Sequence, residues 1–252
     1  MSDRVVIVTG GSRGIGAATA MLAAERGYGV VVNYTANVAA AEAVCARIHA
    51  TGGVAVAVRG DVSSEADIDH IFAAADRMGT LAGLVNNAGV VDLAARVEDF
   101  DAARLTRMFA INTLGTILCS GRAVKRMSTK HGGKGGGIVN VTSAAAKLGA
   151  PGNYVDYAAA KGAVDSFTVG LALEVAGEGI RVNGVRPGII DTEIHASGGI
   201  PGRAAEMAPS VPIPRAGTAE EVARAILWLL SDEASYTTGS VINVTGGRGI
   251  AP

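Results

Sequence analysis

Residues 5–16 read VVIVTGGSRGIG, and this stretch decides the fold class of the 252-residue chain. Four consecutive aliphatic, β-branched residues predict a buried strand, and the glycines after them predict a tight turn. The alanine-rich residues 17–26 that follow predict a helix. A strand, a glycine turn and a helix in this order place free backbone N–H groups at a helix start, where they can bind a pyrophosphate. A turn with a purely structural role is the alternative interpretation.

The same alternation of short β-branched runs and alanine-rich stretches continues along the chain. Because most of these runs are continuous rather than alternating with polar residues, they predict parallel strands that are buried on both faces. We therefore predict an α/β fold, a doubly wound seven-stranded parallel sheet with helices on both faces. The predicted strands are 5–8, 30–32, 54–58, 84–85, 138–141, 180–185 and 240–244, and the predicted helices are 14–27, 37–51, 64–78, 98–112, 114–128, 154–177 and 218–230.

The domain organisation follows from what is missing between these segments. Neither a composition shift nor a long linker divides the chain, so we predict one dinucleotide-binding and catalytic domain over residues 1–252. One long insertion, at about 188–217, is rich in Gly and Pro. It follows the carboxyl end of a strand, where open α/β sheets bind ligands, so we predict that it is a substrate lid.

Composition and charge exclude several classes of function. With 22 Lys and Arg against 23 Asp and Glu, the net charge is −1, and we expect no nucleic-acid partner. The longest stretch without a charge, Gly27–Ala41, is shorter than the ~20 apolar residues that span a membrane. We therefore expect no membrane partner and, without a secretory segment after Met1, a cytoplasmic location. Cys45 and Cys119 lack metal-ligand and redox spacing, so they are predicted to be buried thiols, and no metal site is expected.

A second group of residues is suited to acid–base chemistry. Tyr157 and Lys161 are four residues apart in a predicted helix and therefore share one face. A neighbouring ammonium favours phenolate, so we expect Lys161 to lower the Tyr157 pKa and make the phenol a general acid or base. Ser143 ends the fifth strand, where its hydroxyl can bond a substrate oxygen. Such a Tyr–Lys pair alone is typical of a solvated helix face, but its combination with the glycine turn favours an active site.

The order of these motifs resembles the compact short-chain dehydrogenase/reductase family over nearly the whole chain. Within the family it is most similar to glucose-dehydrogenase-like and acyl-carrier-protein-reductase-like members. The resemblance implies a Rossmann-type sheet and an oxidoreductase that interconverts a small-molecule carbonyl and a secondary alcohol by hydride transfer with a nicotinamide dinucleotide. It also implies a homotetramer. The motifs that carry it are T-G-x-x-x-G-x-G at 9–16, Asp61-Val62, N-N-A-G at 86–89, Asn112, Ser143, Tyr157-x-x-x-Lys161, and Pro187-Gly188 with Thr192.

The resemblance also implies a role for individual residues. Tyr157 would exchange a proton with the substrate oxygen, Lys161 would hold the nicotinamide ribose, Ser143 would orient the carbonyl, and Asn112 would keep a water in a proton path to Lys161. The implied cofactor contacts are Gly10, Ser12, Arg13, Gly14, Ile15 and Gly16 in the glycine turn, Asn33, Asp61, Val62, Asn87, Ala88 and Gly89 toward the adenosine, and Tyr157, Lys161, Pro187, Gly188, Ile190 and Thr192 toward the nicotinamide.

The end of the second strand predicts the choice of cofactor. NAD-binding units carry an acid about 20 residues beyond the glycine turn, whereas residues 33–35 here read NYT. Arg13 is placed to reach a ribose 2′-phosphate, and Asn33 can donate to it. A basic residue at this turn position accompanies NADP in the family. We predict NADP(H) as the preferred cofactor and NAD(H) as the second choice, with a merely solvent-exposed Arg13 as the alternative.

The sequence disfavours two alternative functions and predicts non-catalytic roles for three further residues. A dinucleotide-sensing or scaffold protein with weak catalysis is disfavoured by the intact catalytic residues, and a sugar-nucleotide epimerase is disfavoured because little chain follows residue 244. Tyr154 is predicted to be a pocket wall, His195 a solvated lid residue and Arg186 a structural ion-pair partner. The sequence leaves the substrate open, because the segments expected to flank it contain no charge cluster that demands an anion.

Overall fold

The structure is a computed structural model that describes residues 3–249, apart from the side chain of His195. The ends of the predicted 1–252 domain and the role predicted for His195 therefore lie outside the described part of the chain. Within it, no helix is long and apolar enough to cross a membrane.

A seven-stranded parallel sheet forms the centre of the molecule, as predicted. The strands follow the order β3-β2-β1-β4-β5-β6-β7, so the chain reverses direction across the sheet between β1 and β4. That reversal is a topological switch point, at which open α/β sheets bind ligands beside the carboxyl ends of the strands. The strands are β1 Arg4–Val8, β2 Gly29–Tyr34, β3 Val54–Arg59, β4 Thr80–Asn86, β5 Gly136–Val141, β6 Ile180–Pro187 and β7 Val241–Val244.

Helices cover both faces of this sheet. Alternate residues of β1 belong to opposite cores: Val6 and Val8 lie in one apolar core, and Val5 and Ile7 lie in the other, all fully buried. This two-sided burial explains why the strands read as continuous apolar runs. The helices are α1 Gly14–Glu25, α2 Val38–Ala50, α3 Glu65–Met78, α4 Ala102–Phe109, α5 Gly115–Met127, α6 Ala145–Leu148, α7 Val155–Val175, α8 Ile194–Ser197, α9 Arg203–Met207 and α10 Ala219–Leu230.

Side-chain caps fix where several helices begin. The Ser64 side chain accepts from the Asp67 backbone N–H at 3.4 Å and starts α3. Thr218 and Glu221 form a capping box at the start of α10, in which each side chain bonds the other residue's backbone N–H. These caps satisfy N–H groups that have no partner within the helix.

The region predicted as two helices, 98–112 and 114–128, differs in the structure. Asp101 accepts from the Arg104 N–H at 2.7 Å, so α4 starts only at Ala102. From there the helical chain continues without a break through a π-helical segment, Ala110–Leu114, into α5. The predicted boundary at residue 113 is therefore wrong, because no helix-breaking residue lies there. π-Helical segments of this kind are frequent at functional sites.

The insertion at 188–217 is more ordered than its composition indicates. It contains the short helices α8 and α9, which the sequence analysis did not predict. Both ends of the insertion are joined, because Gly217 donates its N–H to the Ile189 carbonyl and Asp191 donates to the Gly217 carbonyl, each at 2.9 Å. The insertion therefore leaves the sheet and returns to it at the same place, beside the carboxyl end of β6.

Candidate active site

The glycine turn after β1 has the close backbone contacts that its sequence predicts. Gly10 and Gly14 have φ angles of +61° and +52°, which side-chain-bearing residues rarely adopt. A Cβ on Gly16 would overlap the Gly10 carbonyl oxygen. These three positions therefore require glycine.

The amino end of α1 lacks a side-chain cap from its N-cap residue. Arg13 occupies the cap position in an extended conformation without a capping hydrogen bond, and the first turn contains no acidic residue. The Glu193 Oε2 of the insertion lies 3.7 Å from where a Cβ of Gly14 would be. The leading N–H groups of a helix carry partial positive charge and need an outside partner. Thr192, from the insertion, lies on the other side of the turn, with its Cγ2 3.2 Å from where a Cβ of Gly14 would be.

Asn87 holds the glycine turn against the end of β4. Its Nδ2 donates to the carbonyl oxygens of Thr9 at 2.9 Å and Gly10 at 3.0 Å. In return the Thr9 Oγ1 accepts from the backbone N–H groups of Asn87 and Ala88, both at 3.0 Å. Asn87, predicted to contact the cofactor, thus also positions the glycine turn. The same bonds fix the start of the loop that continues through Ala88 and Gly89.

Asn33 does not have the surroundings that the sequence analysis gave it. The side chain is 1% exposed, and its Oδ1 accepts from the Gly10 N–H at 3.1 Å. Its Nδ2 donates to the carbonyl oxygens of Val58 at 3.3 Å and Gly60 at 2.9 Å. Both amide hydrogens are therefore already used by the end of β3 and Gly60, and the amide oxygen is used by the glycine turn. The prediction that Asn33 donates to a 2′-phosphate is wrong.

Asp61 and Val62 lie where β3 leads into α3. The Asp61 Oδ1 accepts from the backbone N–H and the hydroxyl of Ser63, at 2.8 and 2.7 Å. Val62 is 5% exposed, and a Cβ on Gly115 would lie 2.7 Å from its Cγ2. Both residues therefore shape the loop at this end of the sheet.

Ser143, Tyr157 and Lys161 meet at the carboxyl end of β5. The Ser143 and Tyr157 side chains line the same cavity, and the Ser143 hydroxyl acts on the pKa of the phenol. The Lys161 Nζ lies 5.8 Å from the centre of the Tyr157 ring and donates to the Val141 carbonyl at 2.9 Å. The predicted helix face therefore brings the phenol and the ammonium to one site, with the serine opposite.

Burial dominates the acid–base properties of this group. It raises the pKa of Tyr157 to about 12, against a smaller lowering by the Ser143 hydrogen bond. It also lowers the pKa of Lys161 to about 8, opposed by the charge of Asp165. The expected lowering of the Tyr157 pKa is therefore wrong for the protein alone, because burial disfavours phenolate more than its surroundings favour it.

Asn112 lies in the π-helical segment and is fully buried. Its Oδ1 accepts from the Val90 N–H at 3.2 Å, and its Nδ2 donates to the Val90 and Met108 carbonyls, both at 3.0 Å. A Cβ on Gly89 would lie 2.8 Å from this Oδ1 and 3.4 Å from the Lys161 Nζ. Only a glycine therefore fits between Asn112 and Lys161.

An ion pair that the sequence analysis missed holds the start of α7. The Asp156 carboxylate is fully buried, accepts from the Arg104 Nε at 2.7 Å and accepts from the Tyr157 backbone N–H at 2.9 Å. Arg104 also stacks on Phe100, with its Cζ 4.2 Å from the ring centre. The pair fixes α7 against α4 next to Tyr157. An acid in the first turn of the predicted helix was its only signal in the sequence.

These elements enclose one cavity at the carboxyl edge of the sheet. Ten of the predicted residues line it, and they come from five separate parts of the chain: Ile15, Asn87, Gly89, Ser143, Tyr157, Lys161, Pro187, Gly188, Ile190 and Thr192. The other predicted residues lie outside its walls, namely Gly10, Ser12, Arg13, Gly14, Gly16, Asn33, Asp61, Val62, Ala88 and Asn112. Most of them form the glycine turn and the neighbouring loops.

The predictions for two single residues agree with the structure. Tyr154 is a buried wall of the cavity and donates its hydroxyl to the Gly198 carbonyl at 3.2 Å. Arg186 pairs with Asp165 at 2.8 Å. The cavity wall also contains Arg203 and Arg248, which the sequence analysis did not single out. These two residues are far apart in the chain, so no local pattern could have joined them.

Comparisons with known proteins agree with this geometry. The family described as Enoyl-(Acyl carrier protein) reductase matches residues 10–248. An uncharacterised oxidoreductase of Escherichia coli, YgfF, is 54% identical, covering 97% of this chain and 99% of that protein. A 3-oxoacyl-[acyl-carrier-protein] reductase of Synechocystis is 39% identical, covering 98% and 97%. The crystal structure of a short-chain type dehydrogenase/reductase from Mycobacterium marinum is similar, with a TM-score of 0.91, 31% identity, and coverage of 100% and 97%.

Proposed function

The chain belongs to the short-chain dehydrogenase/reductase family, a family of oxidoreductases that act on hydroxyl and carbonyl groups, and we propose that it does so with NADP(H) and with Tyr157 as the proton-transfer group. The observation that carries this proposal is the meeting of Ser143, Tyr157 and Lys161 in one cavity beside the glycine turn. Family membership itself implies a nicotinamide dinucleotide as the cofactor.

The residues of the site fit such a dinucleotide. The uncapped start of α1 offers N–H groups to a pyrophosphate, and the glycines of the turn leave room for it. The Thr142 hydroxyl, in the cavity wall, is buried without a hydrogen-bond partner among the described residues, as expected where a ligand completes the site. The nicotinamide, when bound, supplies or accepts the hydride. Pro187, Gly188, Ile190 and Thr192 would hold its end of the cofactor.

The chain's own residues would handle the substrate oxygen. For reduction, the Tyr157 phenol donates its proton to that oxygen, and for oxidation it takes the proton back as a base. Ser143, in the same cavity wall as Tyr157, orients the same oxygen. The Lys161 ammonium binds ribose hydroxyls and favours the phenolate form of Tyr157. Asn112 fixes the loop that begins at Gly89, and so the path along which Lys161 exchanges protons with solvent.

Two basic residues support a preference for NADP(H). Arg13 is exposed in the glycine turn, and no acid follows at the end of β2. Arg59, at the end of β3, pairs in register with Tyr34 and donates its Nε to the Thr35 carbonyl at 3.2 Å. A 2′-phosphate at the end of β2 would therefore meet positive charge, and residues 33–35 contain no acid that would repel it. With Asn33 buried, Arg13 is the residue that we propose to bind the phosphate.

The insertion would close the site over the substrate. Its residue Thr192 lies against Gly14 of the glycine turn, and Ile190, Thr192 and Ile194 belong to the cavity wall. Because its two ends are joined by backbone hydrogen bonds at Ile189, Asp191 and Gly217, the segment between them can open and close as a unit. We propose this segment as the substrate lid.

One experiment tests the oxidoreductase proposal as a whole. The purified protein is mixed with NADPH and a panel of activated ketones, aldehydes and keto sugars, and the absorbance of the reduced cofactor is followed. Consumption of NADPH that requires a carbonyl compound supports the proposal. Tight cofactor binding with no turnover on any member of the panel contradicts it and favours the alternative, a dinucleotide-sensing or scaffold protein.

A further inference from the structure

Two arginines belong to the wall of the cavity that also contains Ser143 and Tyr157. Arg203 lies in α9 of the proposed lid, and Arg248 lies close behind β7, near the carboxyl end of the chain. Both side chains are only partly exposed. The same cavity contains the Ser143 and Tyr157 hydroxyls. Whatever occupies this cavity therefore meets a hydroxyl pair and two guanidinium groups.

The two guanidinium groups are held close together by their neighbours. The Arg203 Cζ lies 5.3 Å from the centre of the Tyr154 ring, and its Nη1 donates to the Asn153 Oδ1 at 3.4 Å. The Arg248 Nη1 lies 3.4 Å from the Met207 sulfur. Met207 is one helical turn from Arg203 in α9, so the two cations share one small surface. Tyr154 is itself fixed by its hydrogen bond to Gly198.

Within residues 3–249, neither arginine forms an ion pair with a carboxylate, and the acid of α9, Glu206, lies beside Gly202. The other partly buried arginines have partners. Arg104 pairs with Asp156 and Arg186 pairs with Asp165, while Arg181 donates to three backbone carbonyls. Arg122 and Arg126 pair with acids of α3. Burial and the charge of Arg203 lower the Arg248 pKa, with no acid acting in the opposite direction. Two like charges in a half-buried wall cost free energy unless an anion joins them.

We propose that Arg203 and Arg248 bind an anionic group at the far end of the substrate, so that the enzyme acts on oxo acids or hydroxy acids rather than on neutral ketones or sugars. This inference rests on the proposed oxidoreductase function. Guanidinium groups form paired hydrogen bonds with carboxylate, sulfonate and phosphate alike, and this shared chemistry is what the site recognises.

The rest of the cavity supports an apolar spacer between the two ends of the substrate. Leu148, Tyr154 and Ile194 line the wall along with the arginines. An apolar chain would fill this part, while the carbonyl meets Tyr157 and the anion meets the arginines. Because Arg203 belongs to the proposed lid and Arg248 does not, the anion would also hold the lid closed.

The test compares acids with their neutral esters. Straight-chain oxo acids of increasing length, with sulfonate and phosphate analogues of the same lengths, are assayed with NADPH beside the methyl esters of the acids. We expect the wild-type kcat/KM to be about 10- to 100-fold higher for an anionic substrate than for its matched ester. Arg203→Met and Arg248→Met should each lose most of this preference, with little change for the ester. Arg203→Lys should keep part of it.

The matched control is Arg224→Met, which removes an exposed arginine on α10, outside the cavity. It should leave the ratio between acid and ester unchanged. Light scattering on each variant checks assembly, since a change of mass in Arg248→Met would make the residue part of a subunit interface and overturn the proposal. The relative rates for carboxylate, sulfonate and phosphate decide which anion the site prefers.

A binding measurement separates this inference from the proposed function. Calorimetric titration with straight-chain carboxylates and their amides, on the protein with NADP⁺, requires no turnover. Carboxylate binding by the wild type that is lost in Arg248→Met would support the anion site. If no carbonyl compound caused consumption of NADPH, that result would contradict only the proposed function. If acids and esters had equal kcat/KM in the wild type, and the arginine variants lowered both values equally, the anion site would be contradicted and the proposed oxidoreductase function would stand.

Discussion

A single hydroxyl distinguishes Tyr157 from a phenylalanine, and the proposed reaction depends on it. In Tyr157→Phe the proposed proton donor of the cavity is lost. We expect turnover to fall roughly 10²- to 10⁴-fold, the usual contribution of a general acid, while the Kd for NADPH changes little. Steady-state kinetics and a fluorescence titration measure the two quantities. Tyr236→Phe, at a fully exposed position, is the control, and near wild-type turnover in Tyr157→Phe would refute the assignment.

Arg13 carries the proposed choice between the two cofactors. Arg13→Ala should weaken NADPH binding by roughly ten- to a hundredfold, because one charge-assisted hydrogen bond contributes ~1.5–3 kcal/mol. NADH binding should hardly change. Fluorescence titration of both reduced cofactors gives the ratio of the two Kd values. Arg47→Ala, an exposed arginine on α2, serves as the control. Equal or tighter binding of NADH by the wild type would mean that Arg13 does not bind the phosphate.

Lys161 makes the stability of the cofactor-free protein depend on pH. Its pKa is lowered to about 8 by burial, from an ordinary value of 10.5. Below pH 8 the folded state therefore bears the cost of a buried charge, about 3 kcal/mol. Between pH 8 and 10.5 the unfolded chain binds more protons at this group than the folded one, so its contribution to stability rises with pH.

The variant Lys161→Met isolates this effect. We expect it to gain stability relative to wild type near neutral pH, with the difference shrinking as the pH rises above 8. Urea unfolding of both proteins across this range measures the free energies of unfolding. Because the other groups are common to both proteins, they cancel in the comparison. A difference that stays constant with pH would show that Lys161 is not charged and buried in the folded state.

At the scale of elements, the capping box at the start of α10 tests how a local signal stabilises the fold. Thr218 and Glu221 satisfy N–H groups at the start of a helix whose Val222, Ile226 and Leu227 are buried in the core. Thr218→Ala should lower the free energy of unfolding by about 1 kcal/mol, the typical contribution of an N-cap. Thr106→Ala, at an exposed position in α4, should cost nothing, since alanine favours a helix. Equal midpoints in urea for both variants would contradict the prediction.

At the scale of the whole molecule, exposed apolar residues indicate how copies assemble. Leu173 on α7 is 77% exposed, and Val169 lies exposed one turn before it. Leu114, the last residue of the π-helical segment, and Ile117 in α5 are also exposed. We propose a homotetramer with D2 symmetry that buries the α5 and α7 faces, because such surfaces on an isolated chain usually mark subunit contacts.

Leu173→Glu tests this assembly. A charge in the middle of the proposed contact should reduce the mass seen by light scattering from four copies of the 25.2 kDa chain to two or one. Val38→Glu, at an exposed position on α2 and away from the proposed contact, should leave the mass unchanged. A 25.2 kDa particle for the wild type at micromolar concentration would refute the tetramer.

The sequence by itself determined the seven parallel strands and the meeting of Ser143, Tyr157 and Lys161. The strands were predictable because two-sided burial requires continuous apolar runs, and that requirement is local. The helix spacing of Tyr157 and Lys161, and a serine at the end of β5, were enough because the carboxyl ends of parallel strands share one edge. The glycines of the turn were equally visible, since backbone conformation at Gly10 and Gly14 excludes other residues.

Only the tertiary structure decided what surrounds these residues. In the sequence Asn33 is predicted to be a free donor, but bonds to the glycine turn and to the end of β3 and the residue after it use its whole amide. The raised pKa of Tyr157 depends on burial by segments distant in the chain. Arg203 and Arg248 meet only because the insertion after β6 and the chain after β7 fold over the same edge of the sheet. The desolvation of a group and its interaction with nearby charges depend on all of its neighbours in space. The order of residues along the chain does not give those neighbours.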